Sequence, residues 1–318
     1  MRRLSILQII VLVVLALSGC ASGAKSQDTN LKLALIPVLD VLPIYVAQQN
    51  GYFKDQGISV DIVPVKSPQE RDVLMQTNQV DGVLTDLPST ALLNKDGPKV
   101  KAVYTARRPF PGAPMFRVLA SPKSNLKSPA DLKGVPVAVS QNTTIEYITD
   151  RLLAGAGLAS GDIKVQEVTA IPLRFEQLMN GNLQAATLPD PLAQGAIAGG
   201  AHLVADDTQN PSLSQSVLTF RDQSLTGKPD TVKKFLTAWE RAVLELNTNP
   251  NKYTDLMIQQ GRVPDSIKGT YKMPPFPPQG IPSESETGDV IKWMRNKGLI
   301  SQDMAYKDLV DAGYLPRQ

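Results

Sequence analysis

Two aspartates stand where the chain offers most chemistry. Residues 81–90 read DGVLTDLPST and residues 185–194 read AATLPDPLAQ, so Asp86 and Asp190 each follow a short apolar run and precede a proline within two residues. An aspartate placed there caps a helix by accepting a backbone N–H, and proline is favoured in the first helical turn. The same place, beyond the carboxyl end of a strand, is where open α/β sheets bind ligands. Asp86 and Asp190 are therefore expected to cap helices and to border a ligand, with Ser89 presented beside Asp86.

A third polar strand end lies in VPVAVSQNTTIE, residues 135–146. Thr143 and Glu146 have the spacing of a capping box. Ser140, Asn142, Thr143 and Thr144 are expected to present side chains and free N–H groups at a cleft, where a helix N-terminus suits sulfonate, phosphate or carboxylate. The first half of the chain has PVLDVLP at residues 37–43, placing Leu39 and Asp40 at the equivalent turn. Asp40 there has either a capping role or a ligand amine or hydroxyl to bind. Ser67 starts the next helix. Arg107 and Arg108 in YTARRPF follow a strand and face either an anion or solvent.

Catalysis is not expected. His202 is the only histidine, in GGAHLVADD, with nothing at a strand end to complete a Ser-His-Asp arrangement. One histidine and one cysteine exclude metal ligation by those residue types. No phosphate-binding glycine loop of either common form occurs, and no cofactor is expected.

The single cysteine is Cys20, at the end of MRRLSILQIIVLVVLALSGC. Two arginines, an apolar stretch over residues 4–17 and small residues before the cysteine make a secretory signal over residues 1–19. That stretch is too short to span a bilayer comfortably. LSGC resembles the bacterial lipobox, which implies that Cys20 is lipidated and becomes the first mature residue. Residues 20–30 then read as a tether with no periodic apolar pattern. Without Arg2 and Arg3, 31 basic side chains face 30 acidic ones, and so even a balance argues against nucleic acid. A monomer is expected.

Elements that position these residues alternate. LKLALIP (31–37), ISVDIVPV (58–65) and GVLT (82–85) have strand character, separated by helical stretches at 43–53 and 67–80. Such alternation implies a parallel sheet with helical crossovers. The pattern recurs at an offset of 104 residues, with Ala138 on Ala34, Leu178 on Leu74, Asn182 on Asn78 and Asp190 on Asp86. Two α/β lobes of similar topology follow, the first from residues 31–116 and 221–318, the second from 117–220. Extended runs at 115–124 and 214–225 read as the crossings, with hinges at Arg117–Ala120 and Val217–Phe220 and a ligand cleft between the lobes. Residues 229–250 form a strong amphipathic helix whose aromatics belong to a core.

LIPVLDVLPIYVAQQNGYFKDQGISVDIV, GVLTDLPS, VAVSQNTT, LPDPLA, VKKFLTAWERA and TNPNKY occur in that order between residue 31 and about residue 260. Together they resemble the nitrate/sulfonate/taurine and thiamine-pyrimidine-precursor group of solute-binding proteins of ABC importers. The resemblance implies a type II periplasmic-binding-protein fold. It also implies a non-enzymatic, lipid-anchored receptor on the extracytoplasmic face of the cell membrane, delivering a small organic solute to a permease and its ATPase. The same superfamily contains fungal-type enzymes that build the thiamine pyrimidine with their own histidine and a cysteine-rich motif, and this chain lacks both features. A sensor that binds ligand without transport is a further alternative. Val38, Leu39 and Leu42 leave the opening turn little polar recognition beyond Asp40. It is without the aromatic residues that pyrimidine-precursor binders usually place there and without a clear sulfonate-type pattern, so the ligand stays open between sulfonates, pyrimidine precursors and related compounds.

Overall fold

A computed structural model describes residues 28–97 and 99–317. The expected signal segment, Cys20 and the expected tether up to residue 27 lie outside the described residues. The first lobe begins with β1 (Asn30–Leu35), a 3-10 turn (Leu39–Val41), α1 (Leu42–Gln49), α2 (Tyr52–Asp55) and β2 (Ser59–Pro64). It continues through α3 (Pro68–Gln76), β3 (Gly82–Thr85), α4 (Leu87–Leu93) and β4 (Val100–Arg107). The second lobe holds β5 (Phe116–Ala120), β6 (Pro136–Val139), α5 (Thr144–Gly155), β7 (Lys164–Glu167) and α6 (Ile171–Asn180). After it come β8 (Ala185–Pro189), α7 (Leu192–Ala198) and β9 (His202–Asp206). The chain then returns through β10 (Ser216–Arg221) to α8 (Asp222–Gly227), α9 (Pro229–Thr248), α10 (Thr254–Gln260), α11 (Glu284–Asn296) and α12 (Tyr306–Leu309).

The two sheets have the same plan. Strand order is β2-β1-β3-β10-β4 in the first and β7-β6-β8-β5-β9 in the second, with β10 and β5 as the antiparallel members at equivalent places. Parallel pairing of β1 with β2 and β3, and of β6 with β7 and β8, puts the strand carboxyl ends of both lobes at one cleft.

Pairing corrects two expectations about the crossings. Arg117–Ala120 and Val217–Phe220 lie inside sheets and cannot be hinges: β5 bonds β8 and β9, while β10 bonds β3 and β4. The crossings are the segments just before those strands, residues 108–115 and 207–215. Residues 216–220, expected in the second lobe, belong to the first sheet, where Phe220 pairs with Gly82. The reason is packing, since Leu218 and Phe220 are buried in the first lobe's core beside Phe235. Phe116, expected in the first lobe, pairs with Pro189 in the second sheet.

The internal repeat is also one residue out beyond the first strand. Arg71 in α3 donates from Nη1 to the Leu84 carbonyl, and Arg174 in α6 does the same to Thr187, a spacing of 103 residues at both partners. Asn78 and Gly181 share the left-handed conformation after those helices at the same spacing. By that offset Asp86 corresponds to Pro189, and Asp190 stands one residue further on.

Helix α9 packs as its periodicity predicts. Val232, Phe235, Leu236, Trp239, Val243 and Leu246 are all buried, and Phe235 lies between Phe53 (5.6 Å, stacked) and Phe220 (5.7 Å, edge-on). Helix α11 has a different task. It packs on α4 of the first lobe, and Val310 just after α12 bridges to Ala102 of β4. Its outer face meets α5 of the second lobe. Asp289 there accepts from Tyr147 Oη (2.6 Å) and from Arg151 Nε and Nη2 (2.8 Å each), and Trp293 Nε1 donates to Asp150 at 2.8 Å. Among the described residues, no helix is long and apolar enough to cross a membrane.

Candidate ligand-binding cleft

The cleft between the sheets encloses about 610 Å³, open solvent at its mouth included. Its walls are mostly apolar, with Ile36, Met115, Phe116, Ile145 and Ile171 among them. Polar groups reach it from strand ends of both lobes: Asp40, Thr85, Asp86 and Arg107 from the first, Thr143, Thr144 and Asp190 from the second. Gln215 and Ser216, where the second crossing joins β10, and Arg71 of α3 also line it.

Asp86 behaves as its sequence context predicts. It caps α4, with Oδ1 accepting the Ser89 N–H at 2.8 Å, and it borders the cleft. Its other oxygen lies 3.9 Å from Arg71 Nη2, and that guanidinium is taken up by Asp72 at 2.8 Å and by Ser89 Oγ at 2.9 Å. Burial pushes the Asp86 carboxyl above its ordinary value, against the lowering influence of Arg71.

Asp190 also borders the cleft but caps nothing. Pro191 occupies the cap position of α7, and the Asp190 carboxylate turns instead to Arg117 of β5, Nε to Oδ1 and Nη2 to Oδ2, both 2.9 Å. The one-residue slip in the repeat explains the difference. Asp40 is likewise no cap. It sits buried in the 3-10 turn with no capping bond, and Oδ1 accepts from Arg107 Nη1 at 3.0 Å.

Other expected site residues hold the walls in place rather than line them. Leu39 is fully buried in the first lobe's core, close enough to Gly261 that a Cβ there would sit 2.5 Å from Leu39 Cδ2. Ser67 caps α3 through the Glu70 N–H (3.2 Å), Ser89 serves Asp86 and Arg71, and Ser140 Oγ accepts from Arg174 Nη2 at 2.6 Å. Asn142 is exposed, in the left-handed region at φ 61°. Thr143 and Thr144 do line the cleft. The expected reciprocal box is offset: Thr143 Oγ1 accepts the Ile145 N–H (3.1 Å), while Glu146 reaches back to the Asn142 N–H (2.7 Å).

Sequence reasoning left Arg107 between an anion and solvent; the structure buries it to 2% exposure against the cleft. Nothing local announced this, because its counter-charge Asp40 is 67 residues away. Arg108 points elsewhere, to Glu286 at the start of α11, with Nη2 2.9 Å from Oε2. Asp207 was missed too. It accepts the N–H groups of Met115 and Phe116 at 3.0 Å each, lashing the start of one crossing to the end of the other. His202 begins β9 opposite Ala120, at the far end of the strand from Asp206 and Arg117, and so away from the cleft. Among the described residues no cluster of His, Cys, Asp and Glu could hold a metal.

The family model described as NMT1/THI5 like matches residues 39–253. The chain belongs to that family. It is 25% identical over 291 residues to a riboflavin-binding protein, RibY, of Chloroflexus aurantiacus, covering 81% of this chain and 79% of that one. It is also 29% identical over 155 residues to a formylaminopyrimidine-binding protein of Halalkalibacterium halodurans, covering 46% and 45% of the two chains. Among solved structures, the alkanesulfonate-binding protein SsuA of Xanthomonas axonopodis pv. citri bound to MOPS superposes with a TM-score of 0.74 at 15% identity, over 92% of this chain and 100% of the other. The aliphatic sulphonate binding protein SsuA of Escherichia coli gives 0.71 at 17%, over 91% and 93%. These likenesses show the two-lobe periplasmic-binding-protein fold.

Proposed function

We propose that this family member is the extracytoplasmic solute-binding lipoprotein of an ABC importer, a monomer that closes its lobes on one small organic solute and hands it to a permease. The observation that carries the reading is the convergence of Asp40, Asp86, Arg107, Thr143, Thr144 and Asp190 on one mostly apolar cleft between two lobes of equal topology. Two crossings, 108–115 and 207–215, join those lobes and supply the bend. The relatives' printed ligands, riboflavin and a formylaminopyrimidine, favour an uncharged or weakly charged heterocycle over a simple inorganic ion.

Native mass spectrometry of protein purified without refolding should find one organic solute bound per chain. Small-angle scattering should give a smaller radius with that solute than after its removal. An unchanged radius at saturation counts against capture by closure. Anchoring through Cys20 is tested separately: Cys20→Ser should move the protein from the membrane fraction to the soluble one, and a soluble, unlipidated wild type would refute it.

A further inference from the structure

Arg107 has two donors with nothing to bond. Its Nη1 is held by Asp40 at 3.0 Å, while Nε and Nη2, both buried, have no hydrogen-bond partner. Those two N–H groups form one edge of the planar guanidinium, the edge that grips two coplanar acceptors side by side. The protein itself demonstrates the use of that edge, since Arg117 holds both oxygens of Asp190 with its own Nε and Nη2. Leaving charged donors buried without partners is costly, so a folded chain that keeps them implies a partner that arrives later. Thr85 Oγ1 and Ser216 Oγ are buried, unpartnered and on the same cleft.

The charge balance decides what kind of acceptor fits. The guanidiniums that line the cleft already have carboxylates: Asp40 for Arg107, Asp72 and Asp86 for Arg71. Asp207 adds a further carboxyl close to Arg107. An oxyanion would enter a mostly apolar site with no uncompensated cation to meet it, and desolvating it there would be costly. Resting on the cleft reading above, we propose that Arg107 is the ligand-orienting residue and that its free edge takes an uncharged planar group with two adjacent acceptors, a ring nitrogen beside a carbonyl. The ligand's own N–H donor then meets Asp86, whose Oδ2 lies 3.9 Å from Arg71 Nη2.

Matched probes test it. 1-Benzylcytosine offers N3 and O2 on one edge, an amine donor, and a phenyl group for the apolar wall; benzoate and phenylmethanesulfonate offer the same phenyl with an oxyanion. In calorimetric titration of solute-free protein, 1-benzylcytosine should bind and the oxyanions should not. Arg107→Lys keeps the charge beside Asp40 but loses the fork, and should weaken 1-benzylcytosine at least tenfold. Because a change at that buried pair risks the fold, Thr85→Val serves as the second variant. It removes an unpartnered hydroxyl, so the free protein should melt no lower than wild type while 1-benzylcytosine binds severalfold more weakly. Binding of the oxyanions in place of 1-benzylcytosine overturns the assignment, as does equal affinity for wild type and R107K, or no binding by any probe. The cleft reading is judged apart from this, by the scattering change with the co-purified solute.

Discussion

Arg117 holds Asp190 side-on, with Nε 2.9 Å from Oδ1 and Nη2 2.9 Å from Oδ2, across the β5–β8 pair. An aspartate with a helix-capping context is therefore one half of a buried ion pair. Asp190→Asn leaves the guanidinium without its bidentate partner and should destabilise the protein by about 3 kcal/mol, the cost of breaking such a pair from one side. Asp86→Asn should cost less than about 1 kcal/mol, because asparagine caps as well as aspartate and Arg71 keeps Asp72 at 2.8 Å. Urea unfolding of the two variants checks the contrast. Equal losses would mean that the pair with Arg117 contributes nothing.

Asp207 joins the two crossings through the N–H groups of Met115 and Phe116, and burial pushes its carboxyl up to about 6. An acid raised in the folded state holds its proton more tightly there than in the unfolded chain. Its contribution to stability is thus fullest below the ordinary aspartate value and is lost as pH rises through 6. The wild type should lose up to about 3 kcal/mol from this group between pH 4 and 6.5, at 1.36 kcal/mol per unit. Asp207→Asn should flatten that part of the profile. Chemical denaturation at each pH gives the slopes, and parallel slopes for the two proteins would reject the assignment to Asp207.

Much of the lobe plan is legible in local patterns. Alternating apolar runs located β1, β2, β3 and β6, and helical spacing located α9 and its buried face. Polar strand ends at Asp86 and at Thr143–Thr144 were also readable, since capping uses neighbours in sequence. What was hidden depends on partners far along the chain. β10 looks like a connector because its antiparallel places beside β3 and β4 are set by strands more than a hundred residues earlier. Arg107 stays open between an anion and solvent because only the fold brings Asp40 to it. Asp190 was misread for a smaller reason: one residue fewer in the second copy of the repeat moves it past the capping position.

Helix α11 predicts a brake on opening. It packs on α4 of the first lobe, yet Asp289 bonds Tyr147 and Arg151 of the second lobe's α5, and Lys297 just after it pairs with Glu146 at 2.7 Å. Opening the cleft by moving α5 away from α11 would break these contacts. Asp289 and Arg151 are partly exposed, so each bond is worth little singly and is weakened by salt. Asp289→Ala should raise the radius of the solute-free protein and weaken solute binding roughly threefold, about 0.6 kcal/mol. High salt should act on the wild type in the same direction and on the variant less. A variant with unchanged radius and unchanged salt response would free α11 from this role.

The exchange of β10 into the first sheet has its own signature at Gly82. A Cβ on Gly82 would lie 2.7 Å from Phe220 Cδ1, too close for any real contact. The ring has nowhere to retreat, since Phe220 is fully buried and packed edge-on against Phe235 at 5.7 Å. Gly82→Ala should therefore cost about 1–3 kcal/mol, the usual range for overpacking a core. Phe220→Leu alone should cost on the order of 1–2 kcal/mol through lost contacts. Combined, the two should cost less than their sum, because the smaller side chain makes room for the new methyl. Residues in contact commonly couple by 0.5–3 kcal/mol, roughly. A double-mutant cycle in urea measures that coupling directly. Strict additivity would mean that Gly82 and Phe220 do not touch, and β10 would then have to leave its place between β3 and β4.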